Sequence, residues 1–245
     1  MKTFAFALRN TKEIVRDKLN LAFGLGFPLV ILLLLSIIQS NIPIDVFTID
    51  VLAPGITVFG FSFILLSSGM LIAKDRTSSF MLRLFTSPLT ARNFIFGYTL
   101  PLLPLAVIQA VIVFIVSLFF GLKLDLKILL TIIVQIPAAV LFIAIGLACG
   151  SVLTDKQVGG VGALFINLGG WLSDTWFDIE LVGGGFVAVA EALPFYHAVM
   201  AGRHALAGEY DMIFPDLWWV IGYAVVTMGI AILAVSYTHL RAHET

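Results

Sequence analysis

The chain has 245 residues, 60% of them hydrophobic and 12% charged, with a formal net charge of −1. Soluble domains carry charge on roughly a quarter of their residues, so this composition excludes a water-soluble globule and defines an integral membrane protein. The small net charge conceals a segregation, because the charged residues lie between long apolar runs, with basic and acidic groups on alternate sides.

Residues 2–20 come first and are predicted to form a helix on the cytoplasmic membrane surface. Phe4, Leu8, Val15 and Leu19 fall on one face at helical spacing, with Lys2, Arg9, Lys12 and Arg16 on the neighbouring face. A cleavable signal peptide is not expected, since the basic region is long and no small-x-small site follows the first apolar run.

Apolar runs then follow at 21–38, 51–73, 94–120, 128–153, 158–172 and 217–235, and a span needs about 20 apolar residues. Gly24, Gly26 and Pro28 are expected to kink or loosen the first span near its start. The second span is followed by the longest cytoplasmic segment. There Ser78 or Ser79 caps a short helix over 80–85 that Pro88 stops.

Pro101, Pro104 and Pro137 punctuate the third and fourth spans, and Gly146-x-x-x-Gly150 closes the fourth. This small-residue pattern lets backbones approach closely, and packing within the chain is favoured over a subunit interface. Cys149, the one cysteine, reads as an apolar filler beside these glycines.

Residues 173–216 contain Gly183-Gly184-Gly185, Glu191, Pro194, His197 and Arg203. Charges at mid-bilayer cost at least about 2.5 kcal/mol each, so the segment is predicted as external helices dipping partly into the outer leaflet and not as a seventh span. Residues 236–245 resemble a translated sequencing adapter and are set apart as a non-native tail from a single transmembrane domain over 1–235.

The charges orient these six spans. With the N-terminus inside, Lys2, Arg9, Lys12, Arg16, Lys18, Lys74, Arg76, Arg83, Arg92, Lys156 and Arg241 are cytoplasmic, and only Lys123, Lys127 and Arg203 are external. Ten acidic residues, among them Asp45, Asp174, Glu191 and Asp216, are external. The positive-inside rule therefore places both termini in the cytoplasm.

The chemistry of the spans narrows the function. They hold no Asp, Glu, Lys, Arg or His, and the strongest polar groups in and beside them are Gln39, Gln109, Gln135 and Asn167. Intramembrane hydrolysis lacks its nucleophile, base or metal ligands, and proton- or ion-coupled transport lacks its usual midplane charge. No G-x-x-x-x-G-K-[ST] phosphate loop occurs, so nucleotide chemistry belongs to another polypeptide. No catalytic residue and no metal site is expected, and no nucleic-acid partner.

Three features together resemble the membrane subunit of type-2 ABC transporters over about residues 2–235. They are the surface helix, the segment from Asp75-Arg76-Thr77 to Ser87-Pro88-Leu89-Thr90 with Phe94-x-x-Gly97-Tyr98, and Trp171-Leu172-Ser173 with Leu193-Pro194-Phe195-Tyr196-His197-Ala198, Arg203 and Gly208. Where that family often has glycine after the serine, this chain has Asp174. The resemblance implies an all-α permease of a bacterial or archaeal plasma membrane, without cofactors of its own. It implies a separate ATPase subunit that binds ATP and Mg, a second permease subunit, identical or related, and surrounding lipid.

It also implies a coupling helix that docks on the ATPase through Arg76, Ser79, Phe80, Arg83, Leu84, Phe85 and Pro88. Glu191, His197 and Arg203 become candidates for an external gate. The function so implied is export of a drug, lipid or other amphipathic molecule by alternating access, for which the 21 phenylalanines suit an apolar route. The alternatives are a polysaccharide exporter, a non-transporting scaffold subunit and a secondary carrier.

Overall fold

The computed structural model describes residues 2–77 and 90–244, with side chains over 3–76 and 90–237. Every regular element among these residues is helical. They are α1 (Lys2–Arg16), α2 (Lys18–Asn41), α3 (Ile49–Thr77), α4 (Ala91–Phe119), α5 (Leu126–Val134), α6 (Ile136–Val152), α7 (Asp155–Trp171), a 3-10 turn (Ile179–Leu181), α8 (Gly184–Ala192), α9 (Pro194–Ala207) and α10 (Tyr210–Glu244). The all-α membrane class expected from composition is the class observed.

Local chemistry sets the helix ends. The side chains of Asp17, Thr90 and Asp125 accept backbone N–H groups at the starts of α2, α4 and α5, and Thr154 with Gln157 forms a capping box on α7. Gly208 ends α9 in the left-handed conformation, φ +88°. α2 runs unbroken through Gly24, Gly26 and Pro28. The predicted fourth span is two helices that meet at Gln135, one residue before Ile136-Pro137 opens α6.

α3 is the axis of the bundle. Against α6 it runs parallel: Pro54 meets Gln135, Phe61 meets Phe142, and Ser68 donates to the Ile143 carbonyl at 3.2 Å. Gly146 and Gly150 make this approach, since a Cβ at the first would overlap the Leu65 carbonyl and one at the second the Gly69 carbonyl. Against α7 it runs antiparallel. A Cβ at Gly162 would lie 2.6 Å from Leu66, one at Gly169 3.2 Å from Ser62, and one at Gly55 3.0 Å from Thr175 just beyond α7.

Five spans pass on length and composition: 18–41, 49–76, 91–119, 126–152 and 210–237. α7, the predicted fifth span, has 17 residues, about 25 Å at 1.5 Å per residue, and falls short of a hydrocarbon core about 30 Å thick. It nonetheless joins opposite ends of the bundle. It starts beside Leu153, whose carbonyl accepts from Arg76 at one end of α3, and it leads to Thr175, which packs on Gly55 at the other. The chain thus crosses between its Asp75 end and its Asp174 end six times.

α8 and α9 are bent by 79° at their junction. The segment leaves the Asp174 end, reaches down to Phe195, which packs on Phe142 and Phe165, and returns to that end where Arg203 bonds Val51 and Lys127 bonds Ala207. It enters and exits on one side, the re-entrant arrangement predicted.

Replacing Gly150 by Leu is expected to cost about 2–3 kcal/mol through overpacking against Gly69 and Ile72. Gly222→Leu, where an added Cβ meets nothing within 4 Å, is expected to leave the midpoint of detergent-phase thermal unfolding within a degree or so of wild type.

Candidate functional site

At the Asp75 end, α1 is docked by a second face that its spacing did not advertise. Phe4, Leu8, Val15 and Leu19 are exposed, as a lipid-facing stripe requires. Phe6, Ala7 and Asn10, from the opposite face, are buried. Phe6 stacks on Phe94 at 5.3 Å between ring centres and meets Tyr98 edge-on at 5.0 Å. Asn10 donates to the Gly97 carbonyl at 3.1 Å. Gly97 is required for this approach, because a Cβ there would overlap the Phe6 ring.

Asp75, 4% exposed, ties three helices together. One carboxylate oxygen accepts from Arg9 Nη1 at 2.5 Å and from the Tyr98 hydroxyl at 2.6 Å, and the other accepts from Arg9 Nη2 at 2.9 Å. Such fork-shaped, charge-assisted bonds are the strong ones in proteins. Burial by itself would weaken the Arg9 charge, but the hydrogen bond and the charge of Asp75 outweigh it and raise the guanidinium pKa. Arg9 also pairs with Glu13, and Lys74 lies 3.4 Å from Asp17.

Arg76, the first predicted coupling residue, donates to the Gly150 carbonyl at 3.0 Å and the Leu153 carbonyl at 3.3 Å, closing the end of α6. Ser79, Phe80, Arg83, Leu84, Phe85 and Pro88 lie outside the described residues. The clamp on Asp75 therefore sits one turn before the segment that resembles a coupling loop.

Between α2, α3 and α7 lies a cleft of about 380 Å³ lined by Phe27, Phe59, Phe63, Asn167, Trp171 and Trp176. Phe59 meets Phe63 and Trp176 edge-on at 5.6 and 4.9 Å, and Phe27 lies 5.2 Å from Phe63. Asn167 spends its side-chain N–H on the Ala163 carbonyl at 2.8 Å, leaving an aromatic wall with one polar edge. The other polar groups singled out in the spans go elsewhere. Gln135 donates to the Pro54 carbonyl at 3.0 Å, and the Gln109 amide, buried over Gly60, has no hydrogen-bond partner among the described residues.

At the Asp174 end the three candidate gate residues separate into two braces. His197 lies between the Asp216 carboxylate at 2.6 Å and the Glu191 carbonyl at 2.8 Å, so its doubly protonated form satisfies both acceptors. Glu191 contributes its backbone there, and its residue is exposed. Arg203 instead pairs with the Asp174 carboxylate and donates to the Asp174 and Val51 carbonyls at 2.6 and 3.2 Å. Asp174 has φ +62°, the left-handed region glycine favours. This is the position where the resembling family often carries glycine, and here an ion pair holds an aspartate in that conformation.

Long apolar helices, a re-entrant pair and a docked amphipathic helix define a multi-pass membrane protein. The family model described as "ABC-2 family transporter protein" matches residues 45–233, well over half of the chain. The chain is similar to ABC transporter G family member 20 of Dictyostelium discoideum, 23% identical over 197 residues. It is also similar to a protein named as transport permease ycf38 from Porphyra purpurea, 34% identical over 115 residues. These alignments take in 77% and 44% of this chain but 27% and 40% of those proteins. The chain belongs to the ABC-2 transporter family, as a membrane component.

Breaking the Arg203 pair with Asp174→Ala removes a buried partner and keeps the unfavourable φ, an expected loss of about 3 kcal/mol. Asp174→Gly loses the same pair but relaxes the backbone, and is expected to retain about 1 kcal/mol of that loss. Thermal unfolding of the two variants side by side checks the order.

Proposed function

We propose that this chain is the permease subunit of an ATP-driven exporter, working with a separate ABC ATPase and a second permease subunit, identical or related. The ATPase binds ATP and Mg, and its motion reaches the membrane through the 78–88 segment, in which Phe80, Leu84 and Phe85 are apolar anchors and Arg83 a rim contact. The observation that carries this reading is the Asp75 clamp. A displacement of the end of α3 is passed to α1 through Arg9 and to α4 through Tyr98, while Arg76 passes it to α6.

The load is a drug, lipid or other amphipathic molecule, moved out of the cytoplasm by alternating access. The aromatic cleft supports that class, because a wall of Phe27, Phe59, Phe63 and Trp176 offers contact area and stacking with little hydrogen-bonding capacity. The absence of acidic and basic groups from the span interiors argues for an external energy source over ion coupling. The membrane is a bacterial or archaeal plasma membrane with both termini inside, following the excess of basic residues at the Asp75 end.

Substituting Phe80 and Phe85 together by Ala is expected to lower transport at least about tenfold, the loss of one or two interface hot spots. ATP hydrolysis by the assembled complex is expected to persist without its response to cargo. Full coupling in a verified complex of the double variant would sink the docking assignment.

A further inference from the structure

A second cavity, of about 760 Å³, opens at the Asp75 end between α1, α2, α3 and α4 and shares no lining residue with the aromatic cleft. Its mouth carries Arg16, Lys74, Glu13 and Asp17, and its walls are apolar, among them Leu21, Leu25, Met70 and Leu105. It reaches from Asp75 to Ile64 along α3, about 16 Å at 1.5 Å per residue, which is the depth of one leaflet of a hydrocarbon core about 30 Å thick. Gly24 is buried, yet a Cβ built on it meets nothing within 4 Å, so the void lies directly against α2.

The mouth is charged but balanced. Arg9, Arg16 and Lys74 face Glu13, Asp17 and Asp75 among the lining residues, three cations against three anions. Arg9 and Asp75 are spent on one another. Arg16 is exposed and has no hydrogen-bond partner among the described residues, which leaves a guanidinium fork at the rim beside two carboxylates. A polar rim of both signs over an apolar shaft one leaflet deep is the mould of a zwitterionic lipid, not of an apolar drug or a singly charged anion.

We propose that this cavity binds a phosphatidylethanolamine of the leaflet at the Asp75 end, the cytoplasmic one. Its phosphate lies on Arg16 and Lys74, its ammonium faces Asp17 and Glu13, and an acyl chain fills the shaft between Leu25, Met70 and Leu105. Guanidinium pairs with phosphate through two parallel hydrogen bonds, and a primary ammonium donates to carboxylates where a choline head cannot. The bound lipid completes the packing between α1 and α2, the pair of helices joined at Asp17. The site goes beyond the transport reading and needs only the membrane placement of the chain, so a binding measurement tests it whatever the cargo is.

The full chain in mild detergent is titrated separately with palmitoyl-oleoyl phosphatidylethanolamine, phosphatidylglycerol and phosphatidylcholine, and bound lipid per chain is read by native mass spectrometry. Phosphatidylethanolamine is expected to be retained about tenfold more tightly than the other two, from its charge-assisted bonds at both poles. Gly24→Phe, which fills the void, is expected to weaken it at least about tenfold, and Gly26→Phe, equally open but outside the cavity, to leave it unchanged. Equal retention of the three lipids, no retention, or wild-type binding by Gly24→Phe overturns the proposal. If Gly24→Phe does not fold, Arg16→Gln at its exposed position decides: a loss of the preference for phosphatidylethanolamine supports the site and an intact preference overturns it.

Discussion

One buried carboxylate carries the organisation of the Asp75 end. Asp75 is almost fully withdrawn from solvent and accepts three hydrogen bonds, two from Arg9 on α1 and one from Tyr98 on α4. A buried charge is tolerable only when it is paired and hydrogen-bonded, and breaking such a pair costs roughly 3–5 kcal/mol. The three helices are therefore not free to part at this point. Gly97 and Asn10 extend the same contact, with the glycine letting the α1 side chains reach the α4 backbone. Because Asp75 lies at the end of the bundle's central helix, one turn before residue 78, the contact converts any displacement there into a concerted shift of α1, α3 and α4.

The opposite end is built on a different constraint, the placing of cations where the membrane disfavours them. Arg203 and Lys127 are two of the three basic residues expected outside, and each has a local partner. Arg203 is held by Asp174 and by two carbonyls, and Lys127 donates to the Ala207 carbonyl at 3.0 Å, next to the left-handed Gly208 that ends α9. These bonds pin the two ends of the re-entrant pair to the starts of α3 and α5. His197 pins its middle to α10 through Asp216. The bend at Leu193-Pro194 is thus anchored on both sides, and the residues read as a gate serve as its braces.

Much of this was legible in the sequence because hydropathy and charge act locally. Six crossings, the surface helix and the returning segment over 173–216 follow from run length, Gly and Pro content and the sorting of Lys and Arg. What escaped was set by contacts distant along the chain. Arg9 and Asp75 are separated by 66 residues, and no periodicity links them. The spacing of Phe4, Leu8, Val15 and Leu19 identified the exposed side of α1, but Phe6 and Asn10, which dock it, look like interruptions of that pattern. Gly97-Tyr98 was visible as part of a family-like motif, and its physical reason, close approach plus a hydroxyl for Asp75, needed the fold. Asp174 is the reverse case. Its departure from glycine was visible, and only the backbone angle and the Arg203 pair explain how the departure is tolerated.

Amide hydrogen exchange on the intact chain, wild type against Asp75→Ala, tests the central role of that carboxylate most directly. Loss of the clamp is predicted to release protection across α1 and the first turns of α4 while α9 and the start of α10, held by Asp174, His197 and Asp216, exchange as before. Unchanged protection of α1 in the variant would contradict the account, because α1 would then be held by its apolar faces and the membrane alone.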